Sequence, residues 1–159
     1  SRREVDAERI GMAGSSWGGF YTSLMAGIDS RIKVAACMFG SGNLQTGNMW
    51  WDAYNRSARF KPDFREHWRN TLDPALRLAH RPVPIAWFTG TNDWFFWMPS
   101  VMKTYQTTRG PKHLALIANW DHALPPAVSE QVFAWLDVHL KKTTPFNIVS
   151  PVEVKRIGR

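Results

Sequence analysis

Apolar runs that alternate with segments of helical period predict an α/β protein built on a parallel sheet with helices on both faces. The runs are residues 9–13, 32–39, 83–89 and 112–118. A strand covered on both sides has no solvent face, so it reads as continuous apolar sequence rather than as every second residue. A second observation is the stretch Gly14-Ser15-Ser16-Trp17-Gly18-Gly19, set between the first run and a segment of small and apolar residues. A third is that Ser16, Asp93 and His122 each follow closely on one of the runs.

Taken in order, residues 1–8 read as the tail of a helix and a turn. The first strand follows from Arg9, and a helix then runs to about Gly27. Asp29-Ser30-Arg31 makes a turn into the second strand. Residues 40–80 break the rhythm, with Met49, Trp50, Trp51, Tyr54, Phe60, Phe64 and Trp68 among many charges. The spacing predicts helices over 63–70 and 74–80. A segment this long between strands is either a lid or binding insert, or a helical excursion that only packs on the body. The third strand leads into Gly90-Thr91-Asn92-Asp93, and 99–108 reads as a helix with Val101, Met102 and Tyr105 on one face. The fourth strand leads into Asn119-Trp120-Asp121-His122. Val132, Phe133, Leu136 and Leu140 then recur at helical spacing over 128–140. From Pro145 the tail reads as extended.

Composition narrows the function classes. The chain has 159 residues, 44% of them hydrophobic, enough for one domain with a core. It contains no run of about 18 uncharged apolar residues, so no membrane-crossing helix is expected. The net charge of +7 invites a nucleic-acid partner. The basic residues are scattered, however, with no stripe of interleaved aromatics, which argues against one. The single Cys37 excludes an internal disulfide and a multi-cysteine metal site, and its apolar surroundings predict a buried, inert thiol. With no H-E-x-x-H pair and no glycine-rich phosphate loop carrying a lysine, neither a metal nor another cofactor is expected.

The central stretch is G-x-S-x-G in the strand-turn-helix setting of a nucleophile elbow. A serine on so sharp a turn needs small neighbours two residues away on either side. Gly14 and Gly18 meet that demand around Ser16, whereas Ser15 has Ala13 and Trp17 there. Ser16 is the candidate nucleophile, and the backbone N–H of Trp17, at the start of the helix, is a candidate oxyanion donor. A hydroxyl needs a base within hydrogen-bond reach. His122 is the candidate base and Asp93 the carboxylate that orients it. All strand C-termini of a parallel sheet share one edge, where residues distant in sequence meet. Asp121 is adjacent to His122 and is expected to steady the loop. His113 and His139 read as packing or surface residues, and His67 and His80 have no partner spacing.

These residues carry a resemblance. With Gly14-Ser15-Ser16-Trp17-Gly18-Gly19, Gly90-Thr91-Asn92-Asp93 and Asp121-His122, the chain resembles the C-terminal half of an α/β-hydrolase. It is similar in particular to the group of dienelactone hydrolases, acetylxylan esterases and prolyl-oligopeptidase-like proteins. The resemblance implies a partial α/β-hydrolase fold: strands five to eight of the sheet, flanking helices and the helical insert at about 40–80. The catalytic half-domain would span 1–143, and 144–159 would form an extended tail. It implies a Ser16-Asp93-His122 triad in the family's order, no cofactor, and a second oxyanion donor on a loop outside this chain. Losing such a donor costs about 2.7–4 kcal/mol of transition-state stabilisation.

The activity expected is cleavage of carboxylic esters through an acyl-enzyme, on a small-molecule or carbohydrate ester. Trp50, Trp51, Trp94, Trp97 and Trp120 lie near the candidate residues or in the insert. Their flat faces suit an apolar acyl group or a sugar ring, hence acetylated carbohydrate as the expected substrate; core packing is the alternative use of tryptophan. A serine peptidase of the prolyl-oligopeptidase kind and a binding domain without turnover are the competing readings.

The implied half-sheet would leave its first strand with an unpaired apolar edge. The 159-residue chain alone is accordingly expected to be poorly soluble and nearly inactive. Sedimentation and turnover assays check this, and a cooperatively unfolding monomer with robust turnover would overturn it.

Overall fold

The computed structural model describes residues 2–57 and 61–143. Four strands, β1 (Ile10–Ser15), β2 (Ile32–Met38), β3 (Ile85–Gly90) and β4 (Lys112–Ile117), pair in parallel in the order β1-β2-β3-β4. The helices are α1 (Trp17–Ile28), α2 (Met49–Arg56), α3 (Pro62–Thr71), α4 (Pro74–Leu78), α5 (Met98–Thr107) and α6 (Pro126–Lys141). This is the expected half-sheet with flanking helices and a helical insert.

Side-chain alternation along the central strands sorts the core into two faces. Val34, Ala36, Met38, Ala86 and Phe88 pack with Val128, Val132 and Trp135 of α6. Ala35, Cys37, Ile85 and Trp87 point the other way, to Ala26 of α1, Leu78 of α4 and Tyr105 of α5. Both faces are covered, so β3 is buried at every residue. The Trp135 indole donates 2.9 Å to the Ala35 carbonyl, which gives this large buried ring its polar partner. Among the described residues β1 pairs with β2 alone, and its residues alternate between half-buried and exposed.

A third cluster joins the insert to the body. Phe20 and Leu24 of α1 meet Leu44, Phe96 and Val101, with Trp17, Trp50, Trp51, Trp68 and Phe95 packed around them. Buried Asp73 holds the insert's own ends together: its carboxylate caps α4 through Ala75 N and also accepts from Asn43 N. Burial pushes its pKa up, against the pull of those N–H groups.

Three expectations need correcting. Residues 2–9 form turns rather than the tail of a helix, closed by Val5 N donating to Arg2 O and Arg9 N to Asp6 O. Helix α2 and a 3₁₀ turn at Leu44–Thr46 lie where no element was expected. Aromatic residues dominate α2 and blur its helical pattern, while a neighbouring side chain caps it (below). The third strand begins at Ile85 rather than at Val83, because Pro84 has no N–H to give a ladder. Phe60 and the tail from residue 144 lie outside the described residues. Among the described residues no helix is long and apolar enough to cross a membrane.

Cys37 is fully buried, and burial pushes its thiol up to about 12 while its Sγ donates to Gly40 O. Reaction with an aromatic disulfide reagent near neutral pH should therefore be negligible in the folded chain and reach one thiol after denaturation. Rapid titration of the native thiol would contradict this burial.

Candidate active site

The helix α1 begins directly after Ser16, whose backbone sits at φ 59° and ψ −125°. Left-handed φ is rare for a residue with a Cβ and costs free energy unless the surroundings enforce it. Here Ser16 N donates to Met38 O at 2.9 Å and Ser16 O accepts from Phe20 N at 3.0 Å. Close packing of the turn demands Gly14, where a Cβ would lie 2.3 Å from Gly18 O. Gly18, expected to share that role, faces open space. The tight partner is Gly19, whose Cβ would sit 2.6 Å from Met38 O.

A serine in this position ordinarily caps its helix by accepting an N–H with its hydroxyl. Ser16 makes no such bond. Its Oγ lies 2.7 Å from His122 Nε2 instead, across 106 residues of sequence. The Trp17 N–H, first of the helix, donates to no described group, so it remains open beside the Ser16 hydroxyl.

His122 Nδ1 lies 3.0 Å from Asp93 Oδ2 and 3.1 Å from Oδ1. A carboxylate only accepts, so Nδ1 carries the proton and Nε2 is left to accept from the serine hydroxyl. The Asp93 side chain is 1% exposed and that of His122 14%. Asp93 Oδ1 also accepts from the backbone N–H groups of Phe95 (2.9 Å) and Phe96 (3.0 Å), which holds the carboxylate in one orientation. Around the imidazole stand Phe95 at 4.6 Å, Phe39 edge-on at 5.7 Å and Phe96 at 6.0 Å between ring centroids. Phe39 has a φ of 50°, a second strained residue at a strand end.

The loops bearing Asp93 and His122 are tied directly to each other. Asn92 N donates to Trp120 O, and Asn119 N to Thr91 Oγ1, each at 2.9 Å. Gly90 permits this approach, since a Cβ there would lie 2.1 Å from Trp120 O. Asp121, expected to steady the loop, is exposed, and its side chain bonds to no described group. The rival histidines stand apart: His113 and His139 pack on Trp135, and burial lowers the pKa of both.

The expected tryptophans divide. Trp17 and Trp50 meet at 5.6 Å, and Trp50 stacks on Phe95 at 5.9 Å with 17° between planes. Trp51 lines a cavity of about 450 Å³ between α2 and α3, with Asn55, Arg65 and Arg69. Trp120 lines one of about 400 Å³ with Asn92, Asn119 and Asp121. Trp94 is 57% exposed, and its carbonyl accepts the Trp97 indole N–H. Among the described residues no group of three or more His, Cys, Asp or Glu gathers as metal ligands would. The sequence reading missed Phe39, Phe95, Phe96 and Asn48. The run Trp94-Phe95-Phe96-Trp97 directly after Asp93 could have flagged two of them. Asn48 stands directly before Met49–Arg56, where an asparagine is a local helix-start signal, whereas nothing local marks the strained Phe39.

No family model matches the chain, and no curated protein matches it in sequence. Among solved structures it is similar to the acetyl xylan esterase from Paenibacillus sp. R4, with a TM-score of 0.73 and 23% identity, covering 87% of this chain and 48% of that one. Acetyl xylan esterase 1 from Thermoanaerobacterium sp. JW/SL YS485 gives 0.71 and 14%, covering 85% of this chain and 47% of that one. The acylaminoacyl peptidase of Pyrococcus horikoshii gives 0.69 and 18%, covering 89% and 26%. The chain thus spans about half the length of the two esterases and about a quarter of the peptidase.

Substituting Gly90→Ala should push the Asp93 and His122 loops apart and cost about 1–3 kcal/mol, as overpacking does. Thermal denaturation would read the cost, and loss of the downfield His122 Nδ1 proton in NMR would read the broken pair. A variant with wild-type stability and an unmoved proton would contradict the packing described.

Proposed function

Because the chain carries part of the α/β-hydrolase fold, we propose that it supplies the catalytic residues of a serine hydrolase that cleaves carboxylic esters. The observation that carries this reading is the unbroken line from Ser16 Oγ through His122 to Asp93, at 2.7 and 3.0 Å. Ser16 Oγ attacks the ester carbonyl carbon as its proton passes to His122 Nε2. Asp93, accepting from Nδ1, stabilises the imidazolium that forms. The Trp17 N–H donates to the developing oxyanion at the positive end of α1. Collapse of the tetrahedral intermediate expels the alcohol, which takes its proton from His122. Water then attacks the acyl-serine with His122 as base, releasing the acid and restoring the hydroxyl.

The substrate proposed is an acetylated carbohydrate, in keeping with the two acetyl xylan esterases among the similar structures. Trp50, Trp51, Trp94, Trp97 and Trp120 are the proposed contacts for a sugar face or acyl group. The likeness to acylaminoacyl peptidase favours a second reading, a serine peptidase using the same three residues.

In the full-length protein a fluorophosphonate probe should label Ser16. Ser16→Ala should abolish labelling, and His122→Ala should slow turnover by roughly 10⁴–10⁶-fold. Acetylated xylo-oligosaccharides, aryl acetates and N-acyl or prolyl peptides then divide esterase from peptidase. A full-length protein that never labels would instead favour a binding domain without turnover.

A further inference from the structure

One buried side chain outside the proposed triad reaches both the insert and the loop of Asp93. Asn48 is 1% exposed. Its Oδ1 accepts from Trp50 N (2.9 Å) and Trp51 N (3.3 Å), which caps the first turn of α2. Its Nδ2 donates to the Phe95 carbonyl at 2.8 Å. That carbonyl also accepts from Met49 N at 3.1 Å, so both of its hydrogen bonds come from the insert. The assignment of oxygen and nitrogen in the amide is forced, since two N–H donors lie on one side and a carbonyl on the other.

Phe95 is the residue through which this contact acts. Its carbonyl faces the insert, its N–H holds Asp93 Oδ1, and its ring lies 4.6 Å from the imidazole of His122. The same ring stacks on Trp50 of α2. Moving α2 therefore pulls on Phe95 by its carbonyl and its ring, and Phe95 contacts both the carboxylate and the base. Asparagine suits the position because its amide offers donor and acceptor together; no aliphatic or hydroxyl side chain of its length spans both partners.

We propose that Asn48 is a positioning residue that clasps the aromatic insert to the Asp93–His122 pair through Phe95, so that docking of α2 sets the geometry of the proton transfer. Its catalytic consequence rests on the serine-hydrolase reading, whereas the clasp itself does not.

Asn48→Ser separates the two duties of the side chain, because serine still caps a helix but is too short to reach the Phe95 carbonyl. The rate of Ser16 labelling by a small fluorophosphonate should fall roughly 10–100-fold, the scale of a misplacement near 1 Å. The pH midpoint of that rate should move, and the thermal midpoint should fall less than in Asn48→Ala. Asn48→Ala, which loses the cap as well, should label no faster and unfold earlier. In parallel, the His122 Nδ1 proton should shift or broaden in Asn48→Ser, a readout that needs no turnover and is read in either variant that folds. Wild-type labelling rate, pH midpoint and proton shift in Asn48→Ser would overturn the clasp. Failure of the full-length wild-type protein to label would instead overturn the hydrolase reading, leaving the proton shift to decide the clasp.

Discussion

Parallel pairing constrains this molecule more than any single contact. When β1, β2, β3 and β4 run the same way, their carboxyl ends are bound to one edge, and the segments leaving β1, β3 and β4 emerge side by side. Ser16, Asp93 and His122 ride on those three exits, so 106 residues of separation between hydroxyl and imidazole contract to 2.7 Å. Each crossover must also return to the same side of the edge, which the covering helices enforce by burying both faces of the central strands.

Strain is concentrated where the chain leaves the strands. Ser16 and Phe39 both adopt positive φ, and each is held by main-chain hydrogen bonds to a neighbouring strand end. Residues in such conformations persist only when the surroundings over-determine them. At Ser16 the conformation frees the hydroxyl from helix capping, and His122 Nε2 takes it. At Phe39 it brings an aromatic edge to the imidazole, completing a low-dielectric surround in which charge-assisted hydrogen bonds gain strength.

The insert is built into this arrangement. Its tryptophans pack on α1 and on the residues that follow Asp93, Asn48 ties it to the Phe95 carbonyl, and Asp73 ties its first residues to α4. The lid and the packing excursion were alternatives in the sequence, and packing on the body is what the structure records. The same aromatic surface lies beside His122, where the Phe95 ring meets both Trp50 and the imidazole.

The strands, their order of use and the three chemistry-bearing residues were legible because they depend on local pattern: apolar runs, a glycine-flanked serine, and polar residues at strand ends. Gly14 was also legible from its spacing, while Gly18 was misread, because which glycine is crowded depends on how Met38 approaches the turn. Helix α2 escaped detection because its aromatic residues blur the helical period, although Asn48 caps it through the local N–H groups of Trp50 and Trp51. The sequence alone thus determined the fold class and the identity of the hydroxyl, imidazole and carboxylate, since periodicity and turn chemistry are short-range. Only the tertiary structure decided that they meet, which rings enclose the imidazole and which amide joins the insert to the acid loop, because those contacts exist only once distant segments have packed.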